Sequence, residues 1–194
     1  DPEGARGLLG TAEDWLKEKR MALVRGPFSF ALKDEIGFVI QGYEHPPSIL
    51  TGHNPTYYSS LVEGHGYRKA KDWFCWWYDA EKPIAEGPLQ VAEEVRKHPG
   101  LVIREIDPKN MERDVRIVLD IFNSAWSRNW GFIPMTEAEA KKTAEEFKLI
   151  LDPRMVLIAE VNGNPAAICL VLPNLNEAIR DLNGRLFPLG LLKL

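Results

Sequence analysis

The sequence predicts an α/β protein, a mixed β-sheet flanked by helices, on three observations. Apolar residues recur at helical spacing in 8–16 and 111–126. Short β-rich runs without that spacing lie between the helical stretches. Two such runs flank Asn162-Gly163, the strongest short-range hairpin signal.

Asp1 can cap a helix with Pro2 in its first turn, and Leu8, Leu9, Ala12, Trp15 and Leu16 give that helix one apolar face. Lys17–Arg20 suits its C-terminus, where cations oppose the helix dipole favourably. Ala22–Arg25 reads as a short strand closed by Gly26-Pro27. The turn-rich segment 28–53 reads as an irregular excursion with one strand at Gly37–Ile40. Thr56–Glu63 reads as a short helix, followed by Gly66-Tyr67 and a strand at Ala70–Tyr78, the most aromatic stretch of the chain. Pro83–Gly87 is the linker candidate, and Pro88–His98 a helix stopped by Pro99-Gly100.

Leu101–Ile106 reads as a strand. Asp107-Pro108 starts a helix with Met111, Val115, Val118, Phe122 and Trp126 on one face. Thr136 and Glu139 form a capping box for a helix that turns Ala140, Ala144, Phe147 and Leu151 inward. Met155–Val161 and Pro165–Val171 form the hairpin, and Asn174–Asn183 a last helix with Gly184 behind it.

The 194 residues allow one domain or two small ones, and 45% hydrophobic with 27% charged residues is ordinary for a soluble globular protein. There are 12 basic and 15 acidic residues before position 99, then 12 and 13 after it, so neither half offers the basic footprint nucleic acid requires. No apolar run approaches the ~18 residues of a membrane span, and DPEGARG lacks the regions of a signal peptide. Cys75 and Cys169 read as reduced core residues, in keeping with a cytoplasmic protein. His45, His53, His65 and His98 fall outside metal-ligand spacing and read as loop or surface residues. No serine sits in a Gly-x-Ser-x-Gly context. The run Trp73, Phe74, Trp76, Trp77, Tyr78 lacks the basic groove of single-strand binders and reads as a strand buried on both faces.

The phrases RGPF at 25–28, HNPTYYSSLVEGHGYRKAKD at 53–72, NWGFIPMT at 129–136 and NGRLFPLGLLKL at 183–194 resemble bacterial tandem GNAT-type N-acyltransferases of unknown substrate. The resemblance implies that residues 1–80 are the C-terminal half of one GNAT-like domain. Residues 81–100 are then a linker with a helix, and 101–194 the N-terminal half of a second such domain. A permuted body in which the two halves complete one sheet is a further expectation. The resemblance also implies acetyl-CoA or another acyl-CoA as cofactor and a small-molecule amine acceptor; the charge balance and hydropathy given above are what argue against nucleic acid and membrane as partners. The cut ends of both halves suggest self-association.

Family members grip the CoA pyrophosphate with a Gln/Arg-x-x-Gly-x-Gly/Ala loop, and no segment here matches it. By resemblance Asn54 is the cofactor contact; by its residue type it is a helix N-cap ahead of Pro55. The family places a general-acid Tyr four residues before the Gly of Gly66-Tyr67, where this sequence has Val62; Tyr58, one turn earlier, and its neighbour Tyr57 are the substitutes. Asn129, Trp130 and Phe132, around Gly131, border the acceptor in the resemblance, or else plug two packed helices. Two functions follow: an acyl-CoA-dependent N-acyltransferase or a portion of one, and a catalytically silent GNAT-like binding or scaffolding module.

Overall fold

The computed structural model describes residues 1–148, 150–185, 187 and 190. The α/β class holds: the described residues form α-helices and a three-stranded antiparallel sheet. They fall into two compact units, one of residues 1–75 with 174–194, the other of residues 76–173. Of the phrase at 183–194, residues 186, 188, 189 and 191–194 lie outside the described residues.

The first unit is built on helices α1 (Pro2–Glu18), α2 (Tyr58–Gly64) and α6 (Leu175–Ile179). The Asp1 side chain accepts from the N–H groups of Glu3 and Gly4, satisfying two of the orphan donors at the start of α1. α6 continues into a 3-10 turn at Arg180–Leu182, so the single helix expected over Asn174–Asn183 is two pieces. Asn176 Nδ2 donates to the Pro47 carbonyl at 2.7 Å and ties α6 to the loop before α2.

The strands expected in this unit do not form. The β-pairing of the 22–40 region is limited to an isolated bridge, Phe28 with Ile36. A strand exists through its pairing partner, and here local groups take the hydrogen bonds instead. Gly37 donates to the Pro27 carbonyl at 3.0 Å, and Val39 N–H goes to the Asn54 side chain. Residues 22–25 run without strand pairing, with Leu23 exposed. Ala70–Tyr78, which runs past the end of this unit at Cys75, likewise forms no strand, and all nine of its residues are exposed, Trp76 to 90% and Trp77 to 89%. The reading of a strand buried on both faces is therefore corrected. So is the reading of the cysteines as core residues: Cys75 and Cys169 are free, as expected, but exposed.

The second unit carries α3 (Glu86–Arg96), β1 (Leu101–Glu105), α4 (Met111–Trp126), α5 (Glu137–Phe147), β2 (Val156–Val161) and β3 (Asn164–Leu170) in the sheet order β1-β2-β3. The hairpin between β2 and β3 turns on Asn162 (φ 53°) and Gly163 (φ 78°), two left-handed residues as a type I′ turn requires. The Asn162 N–H donates to the Gly100 carbonyl at 2.9 Å, and a Cβ on Gly100 would collide with the Asn162 side chain. The register is Ile103 opposite Ala159 and Arg104 opposite Ile158; across the hairpin Ile158 faces Ile168 and Leu157 faces Cys169. Alternation puts Val156, Ile158 and Ile168 on one face, where they meet Ile106 and are packed by Met111, Ile117 and Leu151. This face, with α4 over it, is the core. α5 begins with the expected capping box and packs on α4, with Ala140 buried.

Candidate functional site

The first group of candidate residues surrounds α2. Asn54 is buried, but it does not cap the helix: the N-cap is Tyr57, and the turn before it closes by Tyr58 N–H to the Pro55 carbonyl. The Asn54 amide is used sideways. Its Oδ1 accepts from Val39 N–H at 2.7 Å, and its Nδ2 donates to the Pro55 carbonyl at 3.0 Å and to Tyr43 Oη at 3.4 Å. Tyr43 Oη in turn donates to the Val39 carbonyl. One buried side chain thus fastens the 39–43 loop to the entry of α2. The Tyr58 ring lies edge-on to Phe38 (6.2 Å between centroids) and to Tyr57 (5.3 Å). Tyr57 and Tyr58 are both exposed, 53% and 41%, so each phenol can meet a ligand. Tyr58 and Val62 are four residues apart on α2, hence on one helix face. Tyr57 and Tyr58 meet at the start of α2, whereas Asn54 is bonded to Val39, Tyr43 and Pro55.

Gly66 explains the Gly-aromatic pair. At φ 104° it ends α2 in a conformation other residues resist, and the Tyr67 N–H folds back to the Val62 carbonyl at 3.3 Å. Tyr67 then stacks on His65 (6.0 Å), and His65 Nε2 lies 3.4 Å from Glu13 Oε1 on α1. Burial, with a hydrogen bond to the Glu13 carboxylate, raises the Tyr67 phenol above its ordinary value. His65 is thus partly covered between helices rather than a surface residue, and a Glu-His-Tyr group stands between α1 and α2. Its members are separated by 52 and 2 positions, too scattered for spacing to reveal.

The second group follows α4. Residues 129–132 form a turn closed by Phe132 N–H to the Asn129 carbonyl (3.1 Å), with Trp130 at its second position and Gly131 (φ 72°) at the third, where a type II turn demands positive φ. The Phe132 ring lies 5.6 Å from Phe122, which stacks on Trp126 at the same distance. Asn123 accepts from Met135 N–H and donates to its carbonyl, both at 2.9 Å. Asn129, Trp130 and Phe132 are thereby held as a fixed aromatic ledge on the end of α4, and Asn123 is a positioning residue that spacing alone did not single out.

Sequence reading also missed the most buried charge. Asp114 is 1% exposed and accepts four hydrogen bonds or ion-pair contacts: two from the Arg104 guanidinium at 2.9 Å, one from Arg113 Nε at 3.0 Å, and one from Asp107 N–H at 2.7 Å. Arg104 Nε also reaches Glu160 at 2.7 Å. Burial works against the charge on Asp114, but the arginine and backbone donors outweigh it and hold the carboxyl at about 2. The signal was present: Asp114 falls on the apolar side of α4 beside Val115 and Val118, where a carboxylate needs a partner. The network locks β1, β2 and α4 together. An open depression of about 570 Å³ lies beside it, lined by Lys109, Arg113, Arg116 and Asp120 among others. Its arginines are engaged, Arg113 with Asp114 and Arg116 with Glu112 and Glu137.

Among the described residues, no cluster of three His, Cys, Asp or Glu could hold a metal ion, and no helix is long and apolar enough to cross a membrane.

No family model matches the chain, and no solved structure matches it. Two curated proteins do. The chain is 39% identical over 197 residues to a protein of Caulobacter vibrioides named bacterial ceramide synthase. It is 37% identical over 195 residues to protein YghO of Escherichia coli K12. Each match covers the whole of this chain and 50% of the relative, so the chain spans about half the length of the curated relatives it matches.

Proposed function

We propose that this chain is the matched half of an N-acyltransferase that joins an acyl group, carried as an acyl-CoA thioester, to a long-chain amine. The observation that supports it is the 39% identity, along the whole chain, to a protein named ceramide synthase. A ceramide is an amide of a fatty acid with a long-chain amino alcohol, so the relative's name describes N-acylation. The resemblance of the phrases at 53–72 and 129–136 to GNAT-type N-acyltransferases is consistent with the same bond.

In this reading the amine attacks the thioester carbonyl, the C–N bond forms, a base takes the proton that the nitrogen gives up, the C–S bond breaks, and the leaving thiolate takes a proton. Tyr58, with Tyr57 beside it, is the donor to that thiolate. Within the second unit, taken by itself, the ledge of Asn129, Trp130 and Phe132 offers an apolar chain a wall of aromatic rings on a pinned turn. Backbone N–H groups polarise the carbonyl. Val62, where a family acid is expected, supports the second reading of a silent binding module.

The test is direct. The full-length encoded polypeptide is incubated with palmitoyl-CoA and sphinganine, and with acetyl-CoA and short amines, while free thiol and amide product are followed by absorbance and mass spectrometry. Stoichiometric thiol and amide are expected from the long-chain pair. Thiol release without amide, or no turnover of any pair by a folded protein, refutes the proposal. In the latter case, acyl-CoA binding by calorimetry favours the silent module.

A further inference from the structure

The sheet of the second unit is covered on one face by α4. Its other face is apolar and bare. Alternation and register place Ile103, Leu157, Ala159, Ala167 and Cys169 there, across all three strands. Ile103 is 55% exposed, Ala167 and Cys169 are exposed as well, and Leu157 and Ala159 on the central strand are half-buried. An antiparallel sheet with one wet face carries polar residues on it. This one has Glu105 at one end of that face, Asn164 at the hairpin end, and small or aliphatic side chains between them. α3, just before β1, is in the same position: every residue of it is exposed, Leu89, Val91 and Val95 included.

The surface of the whole chain agrees. It exposes 15502 Å² at 22.0 kDa. A compact monomer of that mass exposes roughly 9,300 Å², and two compact domains of half the mass roughly 11,200 Å² together. The excess over even two separate domains is roughly 4,000 Å², against roughly 800 Å² that one partner buries in a standard protein–protein interface. The relatives carry as much chain again beyond the span they share with this one.

We infer that the bare sheet face of Ile103, Leu157, Ala159, Ala167 and Cys169 is an interior surface, covered by the further portion of a longer polypeptide that continues this chain. The cover is an apolar-faced element of that portion, and the edges of β1 and β3 are where its strands would add. The inference reads packing and stands apart from the acyl-transfer reading, so either can fail alone.

Cys169 is the reporter. The wild-type full-length polypeptide is labelled with a maleimide under native and denaturing conditions, in a reductant that does not react with it, and labelled peptides are mapped by mass spectrometry. Sedimentation fixes the oligomeric state of the same sample. Cys169 labelling at least ~100-fold slower in the native monomer than in denaturant is expected, since the reactive state then requires opening of the core. Labelling of Cys169 at the denatured rate in a folded monomer overturns the inference. So does protection that vanishes on dilution with loss of a dimer, which assigns the face to a second copy, or protection that requires phospholipid vesicles. A gene that encodes no residues beyond this chain overturns it as well.

Discussion

Replacing Asp114 by Asn removes the charge at the centre of the second unit while keeping its shape. Asp114 is 1% exposed and holds the Arg104 guanidinium through two 2.9 Å contacts. The Asn amide presents N–H groups to Arg104 or Arg113, donor against donor. Breaking a buried pair by removing one partner costs about 3–5 kcal/mol. Arg104 keeps Glu160 at 2.7 Å and is 24% exposed at its side chain, so the lower end applies and the loss is about 3 kcal/mol. Urea unfolding followed by circular dichroism measures it. The pH dependence separates charge from packing. The folded carboxyl sits at about 2, below the ordinary 3.8, so the unfolded chain binds the proton more readily in between. Stability from this group is therefore complete above about pH 4 and is lost as pH falls towards 2, worth roughly 2.5 kcal/mol in all. The gap between wild type and Asp114→Asn closes over that window. A variant within about 1 kcal/mol of wild type at pH 7, or a gap that stays constant down to pH 2, refutes the reasoning.

Ile158→Ala opens a cavity in the core at a fully buried site and costs about 2–5 kcal/mol in the same unfolding assay. Asn54→Ala leaves the Val39 N–H without its acceptor, costs about 1–3 kcal/mol, and speeds hydrogen exchange at the Val39 amide while leaving exchange in β2 unchanged. Asn123→Ala frees the backbone of Met135 and loosens the 129–135 turn, read as faster exchange at the Met135 amide; under the proposed reaction it raises KM for the amine more than it lowers kcat. Tyr58→Phe removes the proposed proton donor and lowers kcat about 100-fold with little change in KM, whereas Tyr57→Phe has the smaller effect.

The legible parts of the sequence were those with local causes. The Asp1 cap, the Thr136–Glu139 box and the Asn162-Gly163 turn depend on neighbours within a few positions, and all three form where the sequence places them. The helices over 2–18 and 111–126 follow from periodicity in the same way, although the apolar face of the first leaves Leu8 and Trp15 exposed. Asn54 shows the boundary. Its residue type suggests a cap, but its amide bonds Val39, fifteen positions earlier, a partner that only the folded loop supplies. Asp114 shows the same limit: its position on the apolar face announces a partner, but Arg104 could be identified only after β1 was laid against α4.

The strands divide along the same line. β1, β2 and β3 were predicted and exist, because each finds a neighbour within this chain and two of them are joined by a turn that sets their register. Ala22–Arg25, Gly37–Ile40 and Ala70–Tyr78 have comparable β propensity and stay unpaired in strand terms. Sequence alone determined the helices, the caps, the hairpin and the apolar character of each run, since these are properties of the chain and its near neighbours. Tertiary structure alone decided which extended runs become strands, which polar groups are buried together, and that one apolar sheet face lies open, because a backbone hydrogen bond across strands and a buried contact each need a second piece of chain to be there.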